Sequence, residues 1–168
     1  PLQLLANSGS IRWLNNNSPS GIYLAGGQDV FIGSLETAAD AALRTSSSDF
    51  TFYFRDFEGT PNFKIGTTGS VTIRGVDGTG NFGRDFQTSQ FGLNANNLVM
   101  EDFIFGSADN TRSVTVDEAL SATGDVSIYG KDLVVNAALT ATGNILLKGS
   151  GNITVADDLT TNGSDITL

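Results

Sequence analysis

The side chains that could do chemistry fall in three short stretches. Gly78-Thr79-Gly80-Asn81-Phe82-Gly83 has the G-x-G-x-x-G spacing that brings a backbone close to a pyrophosphate. That chemistry needs a helix N-terminus behind the glycines, and no apolar period of a helix follows, so the stretch reads as a glycine-rich turn. Asp77, Thr79, Asn81 and Asp85 set oxygen atoms at alternating positions, as a calcium loop does. The bidentate Glu that would close such a loop is missing, and short oxygen-bearing residues are also what tight turns use. Asp77, Asn81 and Asp85 are therefore the calcium candidates, while the expectation for the chain is no resident metal. Asp157-Asp158, with Asp125 and Asp132 nearby in the pattern, could pair carboxylates for acid–base work. Adjacent residues on a strand face opposite ways, however, and the equivalent positions elsewhere are Glu118-Ala119 and Ala137-Ala138, which reads as a solvated turn.

What the chain lacks points the same way. It has no His, the commonest general base and transition-metal ligand, and no Cys for a thiolate site or a disulfide. No catalytic residue and no cofactor is expected. Across 168 residues the formal net charge is −9, which repels phosphate backbones and anionic membrane surfaces, so neither nucleic acid nor direct membrane insertion is expected. No apolar stretch approaches the length that spans a bilayer. The 39% of hydrophobic residues is enough for one folded unit with a core.

The elements that would position these residues show in a repeat. "DEALSATGDVSIYG", "NAALTATGNILLKG" and "ADDLTTNGSDITL" align on Gly124, Gly143 and Gly163 with a period near twenty residues. Val114-x-Val116, Leu133-x-Val135 and Ile153-x-Val155 form one apolar column, and Leu120, Leu139 and Leu159 a second. Val126-x-Ile128, Ile145-x-Leu147 and Ile166-x-Leu168 form a third. A spacing of two puts both side chains of each pair on one face of a strand. Short strands repeated at this period predict a solenoid in which successive coils pair in parallel. The expected fold is all-β, a parallel β-helix (β-solenoid) with coils of about 20 residues. Its inward ladder comprises Val116, Leu120, Val126, Ile128, Leu133, Val135, Leu139, Ile145, Leu147, Ile153, Val155, Leu159, Ile166 and Leu168.

Residues 1–168 read as a single β-helical segment, with regular coils over 113–168 and irregular, loop-decorated coils over 1–112. In the first part the period is lost, but apolar pairs such as Ile11-x-Trp13, Phe52-x-Phe54, Val71-x-Ile73 and Phe103-x-Phe105 continue, and Phe-rich stretches predict a bulkier interior. "LETAADAALR", residues 35–44, has capping-box spacing at Thr37 and Asp40 and predicts a short surface helix or helical turn. Serines 46–48 and "VDGTGNFGRDFQTSQFGLNANN" read as loops. Ser121-x-Thr123, Thr140-x-Thr142 and Thr160-x-Asn162 stack as a hydroxyl ladder. It is similar to the ice-binding face of antifreeze β-solenoids, but its place just before a glycine turn favours corner pairing. Asn16, Asn152 and Asn162 open N-x-[ST] sequons that matter only on a secreted chain. The chain opens at Pro1, and Ile166-Thr167-Leu168 falls inside the repeated pattern. It reads as a piece of a longer polypeptide, its last coil covered by further coils or by an end-to-end copy.

"GDVSIYGKDLVVNAALTATGNILLKGSGNITVADDLTTNGSDITL", with its "G-[DN]-φ-x-φ" and "A-L-x-A-T-G" patterns, resembles the repeats of bacterial surface exoproteins of the filamentous-haemagglutinin type. It is equally similar to autotransporter passengers. The likeness covers residues 113–168, and no "NPNG" segment of the secretion domain accompanies it. It implies a right-handed β-helix, location in the secreted fraction or on the bacterial cell surface, and work as an adhesin or stalk that meets host or cell-surface glycans or proteins. The expected function is thus a structural and adhesive segment without catalysis. The rival class is enzymatic: "NANNLVMEDFIF" resembles a coil of the β-helical polysaccharide lyases and glycoside hydrolases. Arg74 and Arg112 are the bases available to such a site, with no acidic cluster matched to them.

Overall fold

Side chains are described in the computed structural model for residues 49–52, 65–75, 81–93 and 98–168, together with the backbone of further short strands between Gln3 and Lys64. The architecture is the expected parallel β-helix, all strand pairings being parallel and one coil apart. Three faces make up each regular coil. The first face stacks Phe50–Tyr53, Val71–Arg74, Phe103–Phe105, Val126–Gly130, Ile145–Gly149 and Ile166–Thr167. The second stacks Phe86–Gln87, Val114–Val116, Leu133–Val135 and Ile153–Val155, and the third Leu120–Ala122, Leu139–Ala141 and Leu159–Thr161.

The apolar columns are in register as the spacing predicts. Val114 pairs with Leu133 and Leu133 with Ile153, Leu120 with Leu139 and Leu139 with Leu159, and Val126 with Ile145 and Ile145 with Ile166. Nine of the ladder positions, from Val116 to Leu147, are buried. In the outermost coil Ile153 and Leu159 are half-buried, while Val155, Ile166 and Leu168 stand exposed because only one side of that coil has a neighbour. The third column departs from the glycine alignment. Gly143 stacks on Gly124, its N–H donating to the Gly124 carbonyl at 2.9 Å, but the Ile145–Ile166 register sets Ser164 opposite Gly143. Gly163 is an extra corner residue, taken up in a left-handed conformation at φ 79°.

The three-face cycle runs on through the irregular half, where the sequence shows no period. Gln3–Leu4 pairs with Phe31–Ile32, Ile11–Trp13 with Leu35–Thr37 and then Phe57–Glu58, and Gly21–Tyr23 with Ala42–Arg44 and then Lys64–Gly66. The helix expected over residues 35–44 is therefore two strands, Leu35–Thr37 and Ala42–Arg44. A ten-residue alanine-rich stretch is too short to hold a helix alone, and pairing to the coils on both sides overrides its propensity. The loop expected after Val76 is partly core. Phe86–Gln87 pairs with Val114–Thr115, Thr88–Phe91 forms a 3-10 turn, and Phe82, Phe86, Phe91 and Leu93 are buried. The three Phe rings pack with Phe105 at centroid separations of 5.2–6.5 Å, so the interior here is filled with aromatic rather than aliphatic volume. Serines 46–48 lie outside the described residues.

Leu139 is fully buried between Leu120 and Leu159, whereas Thr140 points outward. Leu139→Asp should cost about 3–5 kcal/mol and unfold the coils around it, since it buries an unpaired carboxylate. Thr140→Ala should stay within about 0.5 kcal/mol. Thermal melts of the two variants check this, and equal losses would mean that the strand faces the other way.

Candidate functional site

The polar side chains of the described coils gather at the three corners, and their geometry there is repeated. At the corner before the first face, the residue preceding each strand is Asp49, Ser70, Asp102, Asp125, Asn144 or Asp165. Asp49 Oδ1 accepts the main-chain N–H of Ser70 at 2.8 Å, and Ser70 Oγ donates to Asp102 Oδ2 at 3.4 Å. Asp102 Oδ1 accepts the N–H of Asp125 at 2.7 Å, Asp125 Oδ1 that of Asn144 at 2.6 Å, and Asn144 Oδ1 that of Asp165 at 3.1 Å. The relay climbs the stack one coil at a time. The corner before the second face repeats it: Asp85 Oδ1 accepts Ser113 N–H at 2.8 Å, Ser113 Oγ donates to Asp132 Oδ2 at 3.4 Å, and Asp132 Oδ1 accepts Asn152 N–H at 2.9 Å.

Why these residue types recur follows from the main chain. At a corner the ladder is interrupted, and the N–H of the residue opening the next strand would face solvent without a partner. A short carboxylate or amide one coil earlier reaches it, where a longer side chain would overshoot. Where a glycine precedes the corner residue, at Gly124, Gly143 and Gly151, the acceptor below fills the space a side chain would take, whereas Arg112 and Ser164 hold that place before Ser113 and Asp165. A Cβ on Gly143 would collide with Asp125 Oδ1, one on Gly124 with Asp102 Oδ1, and one on Gly151 with Asp132 Oδ1. The "G-[DN]-φ-x-φ" motif is thus a space for the carboxylate below, an acceptor for the coil above, and an inward pair.

The third corner uses acids differently. Asp117 Oδ1 accepts Ser89 N–H at 2.9 Å, its Oδ2 accepts Ser89 Oγ–H at 2.6 Å, and Glu118 Oε1 accepts Leu93 N–H at 3.1 Å. The acids tie the 3-10 turn to the coil above it. Asp157 bonds the N–H of its own neighbour, Asp158, at 2.7 Å.

The residues singled out for chemistry are not brought together. Asp125 and Asp132 stand at opposite ends of the strand Val126–Gly130, and Asp157-Asp158 sits at the third corner. Asn81 Oδ1 accepts from Thr111 N–H and Oγ1–H at 2.8 and 2.9 Å, and Asp85 is a corner acceptor, so both calcium candidates within the described residues bond their own chain. Asp77, Gly78, Thr79 and Gly80 lie outside those residues. Among the described residues no group of three or more acids is arranged to hold a metal ion. Arg74 ends a first-face strand, its Nε buried without a hydrogen bond among the described residues, and exposed Arg112 donates from Nε to the Phe82 carbonyl at 3.4 Å. Ser121, Thr140 and Thr160 stack in register on the outer side of the third face. Of the sequon residues, Asn152 takes its place in the second corner, Asn162 is exposed, and Asn16 lies outside the described residues. The corner role of Asp49, Ser70, Asp85, Asp102 and Ser113 was missed by spacing arguments, although each stands directly before an inward residue. That position was the available signal.

No family model, no curated protein and no solved structure matches this chain. The corner geometry itself carries the functional reading.

Asp125→Ala should cost about 1 kcal/mol by stranding the Asn144 N–H, and Asp125→Asn clearly less, because an amide oxygen does the same work one coil later at Asn144. Gly143→Ala should destabilise by about 1–3 kcal/mol. Combining Gly143→Ala with Asp125→Ala should recover at least about 0.5 kcal/mol relative to the sum. Denaturant melts of the four variants measure the coupling, and strict additivity would refute the steric link.

Proposed function

We propose that this chain is a structural and adhesive repeat segment of a large secreted or cell-surface bacterial protein, acting as a stalk or binding surface without catalysis. The observation that carries the reading is the use made of its acids. Asp125, Asp132, Asp85 and Asp102 hold main-chain N–H groups of the adjoining coil, and they are distributed over separate corners rather than converging on one point. Acid–base or metal-assisted cleavage of a glycan needs two or more such groups aimed at one bond. A segment whose polar groups are bonded to its own main chain is suited to bear load and to present an outer surface. The resemblance of residues 113–168 to filamentous-haemagglutinin-type and autotransporter repeats supports an exported setting, with host or cell-surface glycans or proteins as partners. Further coils of the same chain, or an end-to-end copy, are the partners proposed for the exposed apolar residues Val155, Ile166 and Leu168.

The lyase-like and hydrolase-like alternative is separated by direct assay. Incubated with polygalacturonate and with neutral glycans, the protein should release neither reducing ends nor unsaturated products, and added calcium should leave the melting temperature nearly unchanged. Turnover that disappears in Arg74→Ala or Asp77→Ala would overturn the reading.

A further inference from the structure

The charges of the described coils are sorted by corner. Among the described side chains, the Lys and Arg residues are Arg74, Arg84, Arg112, Lys131 and Lys148. Each lies at the end of a first-face strand or in the turn leading from it to the second face. The acids of that turn are Asp85, Asp109 and Asp132, and two of these are bent along the stack onto main-chain N–H groups. Every other described acid, Asp125, Asp157 and Asp165 among them, belongs to the other two corners, where no described cation stands. Within a chain of formal net charge −9, the described coils thus gather their cations along one edge.

The register aligns that edge with the solenoid axis. Lys131 N–H donates to the Arg112 carbonyl at 2.8 Å, and Gly151 N–H to the Lys131 carbonyl at 2.7 Å, so Arg112 and Lys131 occupy one position in successive coils. Tyr129 pairs with Lys148 in the column beside them, both outward, Tyr129 half-exposed and Lys148 exposed. Lys131 and Lys148 make no ion pair or side-chain hydrogen bond among the described residues. Coils repeat about every 4.8 Å, so these cations climb the edge at that step.

We propose that this edge binds a linear anionic polysaccharide laid along the solenoid axis. Its carboxylates or sulfates pair coil by coil with Arg112, Lys131 and Lys148, and a sugar ring packs on the face of Tyr129. This deepens the binding-surface reading and rests on it. A chain of uronic or sulfated sugars advances by about one ring per coil step and carries its charges in single file, which fits a stripe one residue wide. Duplex nucleic acid presents a charge about every 3.4 Å on each of two strands and is broad enough to meet the acid corners as well. An amphipathic aromatic such as Tyr suits a ring with one apolar face.

The test immobilises polygalacturonate, dextran sulfate, neutral dextran and single-stranded DNA and measures binding of the intact chain at low and high salt. At least one anionic glycan should bind and weaken as salt rises, and whether carboxylate or sulfate is preferred identifies the recognised group. Lys131→Gln with Lys148→Gln should weaken it roughly tenfold. Lys131→Arg with Lys148→Arg should keep it. Asp157→Asn with Asp158→Asn, a change of charge equal in size and opposite in sign at another corner, should alter it less than roughly twofold. No binding by the unaltered chain, full affinity in the Gln pair, or DNA or neutral dextran held as tightly as the anionic glycan would each overturn the stripe. Chain length of the glycan is read in the same samples. Cleavage would sink the non-catalytic reading and leave the stripe standing, while intact glycan without binding would do the reverse.

Discussion

At two corners of the described coils the ladder is left, and there the N–H groups of Ser70, Asp125, Asn144, Asp165, Ser113 and Asn152 each find an acceptor in an Asx side chain of the coil below. Much else follows from that bond. It favours short polar residues, Asp, Asn or Ser, directly before the inward pairs of the first two faces. It forbids a Cβ on Gly124, Gly143 and Gly151, because the carboxylate occupies that space. It keeps successive coils from slipping, since a one-residue shift would turn the apolar columns outward as well as break the relay.

The bond also explains why the described corner acids, conspicuous in the sequence, stand apart from one another and hold the main chain of the adjoining coil. Asp102 and Asp125 are consecutive in the first corner, but Ser70 and Asn144 flank them, and in the second corner Asp85, Ser113, Asp132 and Asn152 alternate acid with neutral. Neutral members carry the relay without stacking like charges along the axis. With the corner acids so occupied, Arg112, Lys131 and Lys148 stand exposed along the second corner. The partition of charge is thus a by-product of how the coils are held, and it leaves an exposed edge with an identity of its own.

The aliphatic columns of residues 113–168 were legible because burial of a stacked strand pair forces a spacing of two and a period near twenty. Both are visible without knowing what lies at the corners. Gly163 misled the alignment, since it resembles Gly124 and Gly143 in letter but serves a left-handed insertion rather than a close approach. The earlier coils were harder to read because turns of unequal length erase the period while leaving the pairing intact, as Leu35–Thr37 and Ala42–Arg44 demonstrate. Phe82, Phe86 and Phe91 reach the core from irregular backbone, where no two-residue alternation announces them. The corner relay was hidden for a different reason. Asp, Asn and Ser in a turn satisfy many local demands, and only the coil offset shows that their partners lie a full turn away.

The most direct measurement is amide hydrogen exchange at the corners. The N–H groups of Asp125, Asn144 and Asn152 belong to exposed residues that would exchange as fast as any surface turn if their acceptors were water. The account predicts that they exchange as slowly as the strand amides of Val126 and Ile145, opening only when whole coils separate. Exchange at Asn144 as rapid as at Gly163, whose N–H makes no hydrogen bond among the described residues, would contradict it.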